Sequence, residues 1–190
     1  MLIQVMEHEV GKIDLLIEGI QYAEDNGADI CNLSLETYQR SEKLKSIIEN
    51  SEMLFIVAAG NDGEDLNDNF PSYPTAYGLK NVLSVAAVDK EKELLPESNY
   101  GNNFVDIAAY GKDVGVAFSN GKKEKVSGTS IAVPQVTAVS AVIYTYSTNR
   151  LSATELKKHI LLSVQKHKAL KNKVRTNGYL NIREAIESIK

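Results

Sequence analysis

Apolar and polar positions along the chain switch between two periods. Residues 2–6 form a short apolar run that predicts a strand. Ile13, Leu16, Ile17, Ile20 and Ala23 then recur at helical spacing on one face. Asn26-Gly27 stops this helix, because glycine tolerates the left-handed cap. Residues 30–35 predict a buried strand, and Leu44, Ile47 and Ile48 mark a second helix. Residues 53–59 (MLFIVAA) are continuously apolar, as in a parallel strand buried on both faces. Residues 61–76 are rich in Asn, Asp, Pro and Gly and read as a loop. Strands are predicted at 82–88 and 104–109. Val136, Val139, Ser140 and Ile143 give a third helical stripe. Residues 153–164 form an amphipathic helix capped by Ser152, and Asn181 starts a last short helix. Strands alternating with helices predict an α/β fold with a largely parallel sheet. No repeat, low-complexity tract or linker divides the chain, so residues 1–190 are read as a single domain.

Composition narrows the partners. With 43% hydrophobic and 24% charged residues, the chain is an ordinary globular domain, not a disordered or fibrous one. A domain of 190 residues buries roughly 70% of its unfolded surface and needs no covalent staple. The single cysteine, Cys31, excludes an internal disulfide and a multi-cysteine metal site. A net charge of -4 argues against a nucleic-acid partner, because phosphate binding wants a basic face. No apolar run reaches the roughly 18 residues of a membrane span, so no membrane partner is expected. Residues 1–11 lack the basic and apolar regions of a signal peptide, so the chain as written reads as cytoplasmic. A secreted protein would need a leading segment ahead of Met1.

The chemistry sits at two strand–helix junctions. The first is Ser127-Gly128-Thr129-Ser130-Ile131-Ala132-Val133-Pro134. It leads into a helix whose first turn holds Ser130, at the positive end of the helix dipole and beside free backbone N–H groups. A nucleophile and a developing oxyanion are stabilised there. Pro134 is tolerated near the first turn, where few N–H groups have partners. The second is Ala58-Ala59-Gly60-Asn61-Asp62-Gly63, directly after the apolar strand. The carboxyl ends of parallel strands line the ligand crevice, and a side-chain amide there can donate to an oxyanion. Taken singly, the first motif is also a common capping pair and the second a common Asn-Asp-Gly turn.

Together and in this order, the two motifs resemble the subtilisin-like serine proteases, the subtilases. Gly-Thr-Ser-x-Ala-x-Pro is present as Gly128 to Pro134, and Ala-Ala-Gly-Asn as Ala58 to Asn61. Asn32-Leu33-Ser34-Leu35 resembles the substrate-pairing strand. Tyr73-Pro74, residues 84–89 and Ser98-Asn99-Tyr100-Gly101 are similar to the family's middle section. Asp106-Ile107-Ala108-Ala109-Tyr110-Gly111 and Gly178-Tyr179-Leu180-Asn181 are similar to its later stretches. The resemblance implies a three-layer subtilisin-like fold, lacking its N-terminal strands, and hydrolysis of peptide bonds. It makes Ser130 the nucleophile, and it makes Asn61 and the Ser130 N–H the oxyanion hole. Ser34 and Leu35 would pair with the peptide backbone. Leu35, Glu36, Ala59, Gly60 and Asp62 would border the pocket for the residue before the scissile bond.

The departures from the family pattern matter as much. The triad in this family runs Asp, His, Ser, and neither the Asp-Thr-Gly-like nor the His-Gly-Thr-His-like motif occurs. The remaining histidines are His8, just after the first predicted strand, and His159 and His167, on and beyond the late Lys-rich helix. Glu36, Tyr110, Val133 and Gln135 stand where the family usually has Gly, Pro, Ser and His. The expectation is a serine endopeptidase domain nearly inactive as this chain; the alternative is a degenerate domain that binds a peptide or partner. Glu36 and Asp62 favour Lys or Arg in any bound peptide. The resemblance admits calcium, but no ligand set matches, so no cofactor is assigned. Without the family's first strand, residues 2–6 are expected to close directly onto residues 30–35. The exposed sheet edge is expected to recruit a second copy, giving a homodimer, or a complementing chain carrying Asp and His.

Overall fold

The structure is a computed structural model that describes residues 1–7, 10–68, 70–118 and 120–187. Its centre is a six-stranded sheet in the order β3-β4-β5-β6-β10-β9. These strands are β3 (Ile30–Leu33), β4 (Leu54–Ala58), β5 (Val82–Val88), β6 (Ile107–Tyr110), β9 (Val164–Lys166) and β10 (Gly178–Leu180). Neighbours from β3 through β10 pair in parallel, and β9 alone runs antiparallel. Two antiparallel hairpins stand apart from it, β1 (Met6–Glu7) with β2 (Val10–Gly11), and β7 (Val114–Ala117) with β8 (Lys123–Val126).

Helices cover both faces. α1 (Ile13–Asp25) and α2 (Glu42–Asn50) pack on one side. α3 (Thr129–Tyr146), α4 (Ala153–Leu162) and α5 (Ile182–Glu187) pack on the other. The period-2 side-chain alternation of β4 divides its residues between these layers. Phe55 and Val57 join Leu16, Ile17, Leu44 and Ile48, whereas Leu54, Ile56 and Ala58 join Val136, Val139 and Ile160. Burial on both faces explains why β4 and β5 are apolar throughout. Ser152 caps α4 in a reciprocal capping box with Glu155, and Asn181 Oδ1 accepts the Glu184 N–H at the start of α5.

Three expectations are corrected. Residues 2–5 are not a strand, and Met6 pairs with Gly11 in a hairpin instead of with β3. Direct closure onto residues 30–33 therefore does not occur. β3 is the edge of the sheet. Between it, residues 1–5 and α1 lies a cavity of about 790 Å³ that includes Ile3, Val5, Ile20, Leu33 and Pro134 in its lining. The helix expected over 153–164 ends at Leu162, because Val164 enters β9 against Leu180. The β7–β8 hairpin was not anticipated; its strands carry Lys123, Glu124 and Lys125 and are largely exposed. No helix among the described residues is long and apolar enough to cross a membrane.

Candidate active site

The carboxyl ends of β3 and β4 and the amino end of α3 meet at one point, as a parallel sheet requires of its ligand crevice. Gly128 makes the turn into α3. Its φ of +135° suits glycine, and a Cβ there would stand 3.0 Å from Asn61 Oδ1. Thr129 follows, buried, and its N–H (2.8 Å) and hydroxyl (3.1 Å) both donate to Asn61 Oδ1. Two donors on the oxygen settle the orientation of the amide and leave Nδ2 with its donors free. Ser130 sits in the first turn of α3, where its N–H has no intrahelical acceptor. Asn61, just past the end of β4, is thus held against Thr129, the residue before Ser130, at the start of α3.

Ser130 is half-buried, and its hydroxyl donates to the Ser34 carbonyl at 3.2 Å. In return, the Ser34 hydroxyl donates to the Ser130 carbonyl at 3.0 Å. Pro134 accounts for the second bond. It lies inside α3 and lacks the N–H that would otherwise reach the carbonyl four residues back, so Ser34 supplies the missing donor. The proline is thus compensated by the residue that follows β3, not merely tolerated by its position. No imidazole or carboxylate is among the hydrogen-bond partners of Ser130 within the described residues. His8 lies outside the described residues. His159 is on α4, and His167 packs edge-on to Tyr179.

The wall beside Asn61 is acidic. Gly60 is buried with φ +111°, and a Cβ there would run into the Glu36 carboxylate and the Asn99 amide. Glu36 is half-buried and accepts from the buried Ser72 hydroxyl at 2.8 Å. Burial pushes its pKa above the ordinary carboxylate value; Asp62 adds to this, while Ser72 and the Asn61 backbone N–H act against it. Asp62 is exposed and accepts from Tyr38 Oη at 2.6 Å and Asn99 Nδ2 at 3.2 Å. The pKa of Tyr38 is raised by desolvation and by that bond. Leu35 packs instead with the α1–α2 cluster and lines the sheet-edge cavity.

Sequence reasoning missed four contributors: Thr129, Ser72, Tyr38 and Asn99. The buried Asn99 carboxamide accepts the N–H groups of Asp62 and Glu64 and donates to the Ala59 carbonyl, so it holds the loop after β4 in place. The hydroxyl next to Ser130 was the available signal for Thr129; nothing in the local sequence ties Ser72 to Glu36. Among the described residues no group of three or more His, Cys, Asp or Glu could hold a metal, and Asp65 Oδ1 is engaged by the Asn67 N–H at 3.0 Å.

Comparison with known proteins places the fold in a family. The profile of the subtilase family matches residues 2–179. The major intracellular serine protease of Bacillus subtilis (strain 168) is 34% identical over 145 residues, 74% of this chain and 44% of that protein. An intracellular serine protease of Paenibacillus polymyxa is 36% identical over 139 residues, 70% of this chain and 41% of that protein. The chain thus spans less than half the length of both relatives. The solved prenylagaramide maturation protease PagA superposes with a TM-score of 0.83 at 30% identity, over 98% of this chain and 71% of that one. A match along nearly the whole chain, carried by a backbone that superposes over 98% of it, makes this chain a member of the subtilase family.

Proposed function

We propose that this chain carries the nucleophile and oxyanion half of a serine endopeptidase. Ser130 Oγ would attack the peptide carbonyl carbon, forming a C–O bond while its proton passes to a base. Asn61 Nδ2 and the Ser130 N–H would take the charge that develops on the carbonyl oxygen. Collapse of that intermediate would expel the amine and leave an acyl-serine for water to hydrolyse. The observation that carries this reading is the orientation of Asn61: both Thr129 donors occupy its oxygen, so its N–H donors are free for the cleft.

Among the described residues, no imidazole or carboxylate stands against Ser130 to take its proton. In subtilisin, loss of the histidine or the serine costs on the order of a millionfold in kcat, or about 8 kcal/mol of transition-state stabilisation. The isolated chain is therefore expected to show almost no turnover. Its Ser130 hydroxyl faces the Ser34 carbonyl, which can accept the hydrogen bond but cannot act as the base. The same observation favours a second reading, a degenerate domain that binds a peptide or partner without cleaving it.

Fluorophosphonate labelling with and without added imidazole as an external base separates the two. The peptidase reading expects slow, imidazole-dependent labelling that disappears in Ser130→Ala. Asn61→Ala should slow it by about 100- to 1000-fold. A folded chain that is not labelled at any imidazole concentration supports the binding domain instead.

A further inference from the structure

Among the described residues, the cleft wall next to Asn61 holds two carboxylates and no cation. Glu36 is anchored by Ser72, and Asp62 by Tyr38 and Asn99. Neither carboxylate pairs with a lysine, arginine or histidine among the described residues; Arg40, the nearest cation in sequence, bridges Glu42 instead. The anchors are neutral donors, so they orient the two charges without cancelling them. Beside them stands an aromatic pair: Tyr38 and Phe70 lie 5.5 Å apart between ring centroids, tilted by 57°. Both rings are exposed, Tyr38 by 51% and Phe70 by 37%. Large exposed rings beside an exposed and a half-buried carboxylate are not explained by core packing.

We propose that Glu36, Asp62, Tyr38 and Phe70 form a subsite for the side chain of an arginine in a bound peptide. The guanidinium is a flat fork of five N–H donors that can serve two carboxylates at once, and it stacks on aromatic faces. A lysine ammonium is a compact, strongly hydrated point charge and exploits the rings less well. A half-buried carboxylate whose ionisation is opposed by burial and by a second carboxylate gains most from an arriving cation. The subsite is an open wall and not an enclosed cavity; the two large cavities lie elsewhere, at the β3 edge and at the amino ends of the strands. Affinity is therefore modest, and discrimination is the property to measure. The assignment of this wall to a substrate side chain rests on the peptidase reading of Ser130 and Asn61.

The test is equilibrium binding of fluorescein-labelled Ala-Ala-Pro-Xaa amides, read by anisotropy at low and high salt, with Xaa as arginine, lysine, citrulline or leucine. Citrulline keeps the shape of arginine without its charge. The expected result is tenfold or tighter binding of the arginine peptide over citrulline and leucine, with lysine between them. Glu36→Gln and Asp62→Asn, each checked for folding by circular dichroism, should bring arginine to within about twofold of citrulline. Equal affinities for arginine and citrulline overturn the proposal, as does a folded chain that binds none of the peptides at millimolar concentration. Binding is read without turnover. An arginine preference in a chain whose Ser130 never labels leaves the subsite standing and removes the peptidase reading. Equal affinities in a chain whose Ser130 does label have the reverse meaning.

Discussion

Ser34 and Ser130 exchange hydroxyl-to-carbonyl hydrogen bonds across the β3–α3 junction, and Pro134 makes one of them necessary. Ser34→Ala would leave the Ser130 carbonyl without its donor, at a cost of about 1–3 kcal/mol in urea denaturation. Pro134→Ala restores a backbone N–H at the same carbonyl, so the double variant should lose less than Ser34→Ala alone relative to its Pro134→Ala parent. Additive losses in that cycle would show that the hydroxyl does not replace the proline's missing N–H. Cys31 is a second residue set by its surroundings. Burial pushes its thiol up to about 11, so at pH 8 it is almost entirely protonated. Iodoacetamide should therefore alkylate the native chain far more slowly than the urea-unfolded one. Glu36 has a pH consequence of its own. Its carboxyl, faced by Asp62, Tyr38, Ser72 and the Asn61 N–H, holds its proton more tightly in the folded chain than in the unfolded one. It therefore favours the fold as pH falls and opposes it once ionised, above its raised pKa. Peptide binding should follow: the arginine preference should fade on acidification beginning above the usual carboxylate range, and a preference constant down to pH 4 would count against Glu36 as its source.

Helix α4 illustrates what an element needs beyond its own pattern. Its start is local, a Ser152–Glu155 capping box that the spacing of the two residues already suggests. Its docking is not local. Lys157, in the middle of α4, is buried and bridges Asp106 Oδ2 at 2.8 Å while also donating to the Val82 carbonyl. Arg175 meets Asp106 Oδ1 at 3.0 Å from the other side. Asp106, 2% exposed, thus ties the lead-in to β6 to α4 and to the turn before β10. Asp106→Ala would leave a buried lysine without its counter-charge and should cost about 3–5 kcal/mol in chemical denaturation. A loss below about 1 kcal/mol would show that Lys157 finds water or another acceptor.

At the scale of the whole molecule, the unpaired edge is the outstanding feature. In a parallel ladder the backbone groups of alternate residues turn outward, and with Asp29 accepting from the Leu54 N–H, those of Ile30 and Asn32 face away from β4. Next to this edge the cavity of about 790 Å³ is lined largely by apolar side chains from residues 1–5 and α1. An apolar edge of this kind invites a strand from elsewhere. We propose that a second copy covers it, and sedimentation velocity should then show a mass that rises with concentration. A strictly monomeric mass at the highest soluble concentration would count against the second copy and turn attention to a separate complementing chain.

The division between sequence and structure follows from how far each signal reaches. Strands buried on both faces announce themselves as apolar runs, so β4 and β5 were legible to within a residue, as were the stripe of α1 and the caps of α4 and α5. Family membership was legible too, because Gly128 to Pro134 and Ala58 to Asn61 meet backbone demands that few other residues meet. Residues 2–6 misled because a short apolar run fits a strand or a packed irregular segment equally well; the absence of a partner on β3 decided for the second. The β7–β8 hairpin escaped because the alternation of β7 is only four residues long and β8 (Lys-Glu-Lys-Val) is almost wholly exposed and carries none. Only the tertiary structure decided what Glu36 does. Its meeting with Ser72, Asn61 and Gly60 joins the loop after β3 to two distant points of the loop after β4, and such a meeting leaves no periodic trace in either of them.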